Sequence, residues 1–300
     1  MKYVLTTQQL SKSYGNLKAV NQLSISVEKG SVYGLLGPNG SGKSTTLSML
    51  LRIVKPTSGS WKWFGDSDHE ASIKKIGAII ESPKFYPYLT AYQNLKIVAD
   101  IKEVSYDHID QVLKLVGLLE RKNDKYQHYS LGMKQRLAIA SAMINDPEVL
   151  ILDEPTNGLD PEGIIQVREI IQEIAANGTT IIMASHLLDE VEKVCSHVLI
   201  LNKGEAVYNG SLSEMSITNR TIEIAANDMR QLIQVLNEIT WVQSFEVDQQ
   251  KIKVVLNEEV SPEVINQYFY DKGIVLTHLL SIKPKLETLF FELLNTPQDV

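Results

Sequence analysis

Cysteine, long apolar runs and basic charge are all scarce in this sequence of 300 residues. The single cysteine, Cys195, excludes an internal disulfide and a thiolate metal cluster, which suits a protein of the reducing cytosol. No apolar run approaches the ~20 residues that a membrane-spanning helix needs. The first residues turn polar too soon for the apolar core of a signal peptide, so we expect none. Any role at a membrane must therefore come through a separate partner chain.

The charge balance excludes another class of function. The formal net charge is −7, from 36 acidic and 29 basic residues, and no Lys/Arg-rich run interrupts it. This argues against a general nucleic-acid-binding protein. Hydrophobic residues make up 44% and charged residues 22%, as in an ordinary globular protein, and the length predicts one large or two modest domains.

Residues 37–45 fit the phosphate-binding pattern G-x-x-x-x-G-K-[ST], the P-loop. The apolar run 32–36 predicts a buried strand before the loop, and residues 45–53 predict a helix after it. A Gly-rich turn can match the pattern by chance, but strand, loop and helix together favour a nucleotide site. The glycines let backbone N–H groups curl around a phosphate at the helix N-terminus. The residues expected to contact the nucleotide are Gly37, Asn39, Gly40, Ser41, Gly42, Lys43, Ser44 and Thr45.

Within this loop, two side chains have distinct predicted tasks. Lys43 should reach the β- and γ-phosphates, and the Ser44 hydroxyl should ligate Mg²⁺.

A second group of candidate residues follows buried strands. The apolar run 148–153 ends in the adjacent acids Asp153 and Glu154, and the run 179–184 ends at Ser185 and His186. Ligands of parallel sheets bind beyond the carboxyl ends of the strands. Asp153 is thus placed to hold Mg²⁺ through water, Glu154 to orient or deprotonate an attacking water, and His186 to contact the γ-phosphate.

Between these motifs the sequence predicts a strand over 73–81 that ends on Glu81, and then a helical block over 90–144. Thr90 and Gln93 have the spacing of a capping box. Ser130 is a natural helix N-cap, and its hydroxyl would suit a phosphate equally well. Tyr14, in a small antiparallel sheet over 3–28, is either a half-buried aromatic or a platform for a nucleotide base.

Composition shifts after Ser216. Residues 221–282 read strand, helix, strand, strand, helix, strand, which is the ferredoxin-like order, and 283–294 predict a last helix. The two predicted hairpin strands are joined by Asp248, Gln249 and Gln250. We therefore expect a domain over 1–215, with a helical subdomain at about 88–145, and an α+β accessory domain over 216–300.

Taken in order, these motifs resemble the nucleotide-binding subunit of an ABC transporter over residues 1 to about 215. The resemblance implies an α/β P-loop cassette with a parallel-sheet core, an antiparallel β subdomain and an inserted helical subdomain. It also implies roles for residues that stayed ambiguous: Tyr14 stacks on adenine, Ser130 and Gly132 close on the ATP of a second subunit, Asp160 couples the two sites, and His186 is the switch histidine.

This sequence departs from the family pattern at two positions. Glu81 stands where the family usually has Gln, and Leu131 where it usually has a second Gly. Glu81, followed by Ser82, Pro83 and aromatic residues, looks like the exporters that give self-protection against bacitracin- and lantibiotic-type peptides. The resemblance places Glu81 beside Mg²⁺, together with Ser44 and Asp153.

The resemblance implies ATP hydrolysis by a head-to-tail homodimer, with ATP and Mg²⁺ as cofactors. The dimer would drive a separate membrane-spanning permease, an exporter, from the cytoplasmic face of the membrane. The alternative is a soluble ATPase of the same type that acts on ribosomes or nucleic acid. Such proteins usually carry two cassettes in one chain or a long coiled coil, and this sequence predicts neither.

Overall fold

The structure is a computed structural model that describes residues 2–66, 69–81, 84–217, 220–248, 250–258, 260–282 and 286–295. The chain divides into two compact units, Met1–Ser211 and Leu212–Val300. This division lies just before the boundary expected after residue 215. Among the described residues, no helix is both long enough and apolar enough to cross a bilayer.

The first unit is a mixed α/β structure. In chain order its elements are β1 (Tyr3–Tyr14), β2 (Leu17–Leu23), β3 (Ser26–Glu28), β4 (Val32–Leu36), α1 (Lys43–Leu50), β5 (Ser58–Trp63), α2 (His69–Ile73), β6 (Ile76–Ile79), α3 (Ala91–Lys102), α4 (Asp107–Leu115), α5 (Leu131–Met143), β7 (Val149–Asp153), α6 (Pro161–Ala176), β8 (Thr180–Ser185), α7 (Leu188–Val194), β9 (His197–Asn202) and β10 (Glu205–Ser211).

A six-stranded sheet positions the site. Its strand order is β10-β9-β4-β8-β7-β6, and all neighbours are parallel except β10 and β9. Strands β4, β7 and β8 are buried at every position, because helices cover both faces of a parallel sheet. Leu36 pairs with Ser185, and Asp153 pairs with Ala184. The carboxyl ends of β4, β8 and β7 therefore lie side by side.

The antiparallel sheet lies around the long strand β1. Strand β1 pairs with β2, β3 and β5 in antiparallel register, which confirms the small antiparallel sheet predicted over 3–28. A shared core joins this sheet to the parallel one, since buried residues such as Leu10 and Trp63 belong to the same cluster as Leu35 and Ile151.

Two predicted elements of this unit have different bounds. The strand predicted over 73–81 is wrong at both ends: Ile73 belongs to α2, and β6 covers only Ile76–Ile79. The helix after the P-loop ends at Leu50 instead of Ile53, and Arg52 beyond it has a left-handed φ of 63°.

The helical block forms as three α-helices, α3, α4 and α5. The capping box is confirmed, since the Thr90 side chain accepts from the Gln93 N–H and the Gln93 side chain accepts from the Thr90 N–H. Between α4 and α5 the chain makes only short 3₁₀ turns at Leu119–Arg121 and Tyr126–His128, so the predicted helical periodicity overstated this stretch.

The second unit has its own sheet and core. Its elements are α8 (Leu212–Ile217), β11 (Arg220–Ala226), α9 (Met229–Leu236), β12 (Val242–Asp248), β13 (Lys251–Leu256), α10 (Pro262–Asp271), β14 (Leu276–Ile282) and α11 (Leu286–Asn295). The strands pair in antiparallel register in the order β12-β13-β11-β14, which is the ferredoxin-like arrangement. Side chains of α9 and α10, such as Leu232 and Phe269, form its core with Ile224 and Val254. Two predicted positions, Gln249 in the hairpin and Lys283 at the start of the last helix, lie outside the described residues.

Candidate nucleotide site

The P-loop connects β4 to α1 and is shaped by its glycines. Gly37, Gly40 and Gly42 have φ values of 153°, 79° and 107°, which residues other than glycine rarely adopt. A Cβ atom at Gly37 would lie 2.3 Å from the Leu201 carbonyl oxygen, and one at Gly42 would lie 2.4 Å from the Ala19 carbonyl oxygen. At Gly40 a Cβ would meet no atom within 4 Å. Two glycines thus allow close backbone packing, and the third lies where the loop is open.

Lys43 is held across this loop. Its side chain is only 6% exposed, and Nζ donates to the carbonyl oxygens of Gly37 (2.8 Å) and Pro38 (3.3 Å). Burial lowers the pKa of Lys43, whereas the nearby carboxylates of Glu154 and Asp153 raise it. The Lys43 ammonium group therefore bonds to the P-loop backbone and lies near the carboxylates of Glu154 and Asp153.

Asp153 is a buried carboxylate at the end of β7. Its Oδ1 makes no hydrogen bond with any described residue. Burial raises the pKa of Asp153 most, and Glu154 and Glu81 raise it further, while Ser44 and Lys43 lower it. A buried oxygen without a partner, beside a hydroxyl group, is a donor set that suits a hard cation such as Mg²⁺.

Glu154 turns away from the strand with a left-handed φ of 50°, and its N–H donates to the Ala184 carbonyl oxygen on β8 (3.0 Å). Its carboxylate lies between the side chains of Lys43 and His186. Oε1 is 3.9 Å from Lys43 Nζ, and Oε2 is 2.7 Å from His186 Nδ1. The Glu154 side chain is 24% exposed, so water reaches it. The structure therefore brings together three of the predicted side chains, as the shared sheet edge requires.

Glu81 follows β6 at the same edge. It lies beyond the end of the strand, exposed, with a φ of 60°. The expectation that it ends a buried strand is therefore wrong, although its charge acts on Asp153 and raises the pKa of that carboxyl. Ser82 and Pro83, which follow Glu81, lie outside the described residues.

Tyr14 lies at the end of β1, where it pairs with Leu17 of β2. Its ring is half exposed, and Lys12 Nζ lies 4.9 Å from the ring centroid. Two residues further along β2, the Ala19 carbonyl lies against Gly42. The hairpin that carries Tyr14 therefore flanks the P-loop.

Ser130 and Asp160 both cap helices. Ser130 Oγ accepts from the Met133 N–H at the start of α5 (3.2 Å), and Asp160 Oδ1 accepts from the Gly163 N–H at the start of α6 (2.8 Å). Within the described part of the chain, no hydrogen bond or ion pair joins Ser130, Gly132 or Asp160 to the P-loop.

Two contacts of this region were not predicted. The exposed Leu131 side chain reaches over Gly158, where its Cδ2 lies 3.5 Å from the position that a Cβ would take. The N–H of Gly204, in the turn between β9 and β10, donates to the Ser41 carbonyl oxygen of the P-loop (3.0 Å). The sequence signal at the second contact is Gly204, whose left-handed φ of 85° suits the tight turn of a hairpin.

Known proteins resemble the chain in sequence and in structure. The family model for "ABC transporter" matches residues 20–157. Bacitracin transport ATP-binding protein BcrA of Enterococcus faecalis is 38% identical over 301 residues, which covers 98% of this chain and 97% of that protein. Lantibiotic transport ATP-binding protein SrtF of Streptococcus pyogenes is 43% identical over 223 residues, which covers 73% of this chain and 97% of that protein.

A solved structure agrees with these relatives. The dimeric post-hydrolysis state of an ATP-binding cassette, bound to ADP and Pi, matches with a TM-score of 0.61 and 25% identity. The match covers 69% of this chain and 98% of that one. With a relative that is similar along almost the whole length and a P-loop that lies beside Asp153 and Glu154, the chain belongs to the ATP-binding subunits of ABC transporters, the ATPases of that family.

Proposed function

We propose that this chain is the ATPase subunit of an exporter and acts as a head-to-tail pair of copies beneath a separate permease, on the inner face of the membrane. One observation carries this proposal. Lys43, Glu154 and His186 meet at one sheet edge, whereas Ser130 begins α5 elsewhere on the surface. Each copy thus offers two half-sites, one at the P-loop and one at the start of α5. Two copies related by a twofold axis would combine these halves into two complete sites.

The proposed chemistry divides among residues of one copy. The N–H groups of the P-loop and Lys43 hold the phosphates. Ser44 and Asp153 would hold Mg²⁺, with the Glu81 charge nearby, and the metal would neutralise charge on the phosphates. Glu154, oriented by His186 Nδ1 at 2.7 Å, takes the proton of the attacking water.

The second copy would supply the other half. The first N–H groups of α5, a helix of 13 residues, and the Ser130 hydroxyl would contact the phosphates of the nucleotide on the opposite P-loop. Gly132 would let the helix start approach closely. Tyr14 would stack on the base, and Asp160 would couple the two sites.

Trapping the ATP-bound state tests the pairing. Glu154→Gln keeps the shape of the side chain and removes the base, so turnover should fall by roughly 10²–10⁴-fold while ATP binding persists. Light scattering should show a dimer with ATP and a monomer with ADP. Near-normal hydrolysis by this variant would contradict the role of Glu154, and a monomer with ATP would contradict the pairing.

Mixing two variants tests the head-to-tail geometry. Lys43→Ala disables the P-loop, and Ser130→Glu places a negative charge where the partner's phosphates are expected; both chains also carry Glu154→Gln. Each variant alone should retain no ATP after desalting. The mixture should retain it, because a mixed pair contains one site with both halves intact. If the mixture also loses all ATP, the sites are not shared in this way.

The proposed cargo is a peptide antibiotic of the bacitracin or lantibiotic class. Two similar proteins are named for the transport of such compounds, and both names describe transport rather than a soluble role. Co-expression with its permease partner should raise resistance to one of these peptides, and Glu154→Gln should abolish the gain. Unchanged sensitivity to both classes would overturn the cargo.

A further inference from the structure

The turn between β9 and β10 lies against the middle of the P-loop. Gly204 N–H donates to the Ser41 carbonyl oxygen at 3.0 Å, and Ser41 N–H donates to the Pro38 carbonyl oxygen at 3.1 Å. Ser41 lies between Gly40 and Gly42, where the backbone curls. The turn therefore bonds to the P-loop at Ser41, in the middle of its curved stretch.

The same turn is also fixed to β2. Asn21 N–H donates to the Gly204 carbonyl oxygen (2.8 Å), and Asn21 Nδ2 donates to Glu205 Oε1 (2.8 Å). The N–H of Gly204 thus bonds to the P-loop, and its carbonyl oxygen bonds to β2. The adjacent Asn21–Glu205 hydrogen bond, here called the latch, also joins the turn to β2.

The space at this junction allows no side chain at Gly204. A Cβ at Gly204 would lie 2.8 Å from the Lys18 carbonyl oxygen and 2.9 Å from that of Ala19. The Ala19 carbonyl is also the atom 2.4 Å from the Cβ position of Gly42. One backbone carbonyl of β2 is therefore enclosed between a P-loop glycine and the turn glycine. A shift of the turn must move β2, the P-loop or both.

We propose that the Lys203–Gly204 turn, latched by Asn21 and Glu205, is a positioning element for ATP hydrolysis that sets the curvature of the P-loop. It touches no nucleotide and acts through Ser41. The inference rests on the proposed role of residues 37–45 in phosphate binding. The fixed turn keeps the N–H groups of the loop pointed at one place, and this ordering is complete before ATP arrives.

Gly204→Ala tests the turn, with Gly178→Ala as its matched control. The two glycines have similar left-handed φ values of 85° and 93°, but a Cβ at Gly178 meets nothing within 4 Å. Both variants carry similar backbone strain, which should lower both melting temperatures. Gly204→Ala adds the clash with the Lys18 and Ala19 carbonyl oxygens, so its melting temperature should fall further. Only Gly204→Ala should raise the Kd for ATP and ADP, by about tenfold, since small misplacements of binding groups are costly.

A milder pair of variants separates positioning from folding. Glu205→Ala removes the latch without a clash and should raise KM for ATP with little change in kcat or in melting temperature. Glu205→Gln keeps an oxygen acceptor for Asn21 Nδ2 and should restore the parental KM.

Normal nucleotide affinity in folded Gly204→Ala, together with a parental KM in Glu205→Ala, would overturn the proposal. Lys43→Ala distinguishes this failure from a failure of the proposed function. If Lys43→Ala loses ATP binding while both turn variants bind normally, the P-loop role stands and only the turn's role is wrong.

Discussion

At the residue scale, the adjacent carboxylates of Asp153 and Glu154 have different environments, which supports the different tasks proposed for them. Asp153 is buried with an unsatisfied oxygen, whereas Glu154 is partly exposed and contacts both Lys43 and His186. Environments that differ in this way assign different roles to groups of the same type. The buried oxygen suits a metal ion, and the oriented, water-accessible carboxylate suits a base.

Asp153 should lower the stability of the fold that it serves. Burial raises its pKa, so the folded chain binds this proton more tightly than the unfolded chain does. The carboxyl group therefore lowers the free energy of unfolding as the pH rises above its unfolded pKa, and this cost is complete once the pH passes its folded pKa. Asp153→Asn should raise Tm by a few degrees without nucleotide and should abolish Mg²⁺-dependent hydrolysis. The gain in Tm should shrink as the pH falls toward the range where Asp153 is protonated.

Calorimetry at several pH values would check this prediction. Asp189→Asn is a control at an exposed acid in the first turn of α7. A lower Tm for Asp153→Asn at neutral pH would show that the carboxylate stabilises the fold.

Glu81 should set the dependence on Mg²⁺. Its charge reaches Asp153, so a cation near both should be held more strongly by a carboxylate than by the amide of the usual Gln. Glu81→Gln should raise the Mg²⁺ concentration for half-maximal hydrolysis and weaken coupling to transport. ATP binding without metal should stay equal or become stronger, because a charge that repels the γ-phosphate is gone. Superimposable Mg²⁺ titrations, with transport unchanged, would make Glu a neutral replacement for Gln.

At the element scale, the start of α5 is packed on the loop that follows Glu154. Leu131 lies over Gly158, and the Cβ position of Gly132 lies 3.9 Å from the Gly163 Cα on α6. The start of α5, which is proposed to contact the partner's ATP, is therefore packed on the loop that follows Glu154, the proposed base of the same copy. Leu131, at a position where the family usually has Gly, adds a side chain to that attachment.

Leu131→Ala should loosen this attachment without changing helix propensity, since Ala is a good helix former. A single copy should bind ATP as the parent does, because its P-loop is untouched. In the Glu154→Gln background, the ATP-dependent dimer should weaken several-fold, and Leu131→Met should keep the parental dimer. Light scattering over a range of protein concentrations measures both. Equal dimer affinities for Leu131→Ala and the parent would leave Leu131 without a role in pairing.

Most of these elements could be predicted from the sequence, because strands that are buried on both faces consist of continuous runs of apolar residues. Strands β4, β7 and β8 were found in this way, and their shared edge predicted that Asp153 and Glu154 would meet the P-loop. The prediction over 73–81 failed, since the five-residue helix α2 is too short to show periodicity before β6 begins. The contact between Gly204 and Ser41 was missed for another reason: it joins two backbones far apart in the chain, and neither end carries a side-chain pattern.

At the scale of the whole molecule, the described residues include a hydrophobic core cluster in each of the two units. One cluster lies in the cassette, with members such as Leu35 and Leu47, and another lies in the second unit, with members such as Ile224 and Phe269. All the proposed site residues belong to the first unit, Met1–Ser211. The second unit is thus free of the proposed chemistry, and we expect it to serve dimer contacts or regulation by the partner.

A chain truncated after Ser216 should therefore fold and bind ATP with the parental Kd. The cassette core would be retained, and no residue proposed to contact the nucleotide would be removed. Introducing Lys43→Ala into the truncated chain gives the matched control, in which ATP binding should be lost. Light scattering of the truncated chain with Glu154→Gln then asks what the second unit contributes: a weaker ATP-dependent dimer assigns it to dimer contacts, and an unchanged dimer assigns it to the permease or to regulation. An insoluble truncated chain, or one that no longer binds ATP, would show that the cassette depends on residues 217–300 for its fold.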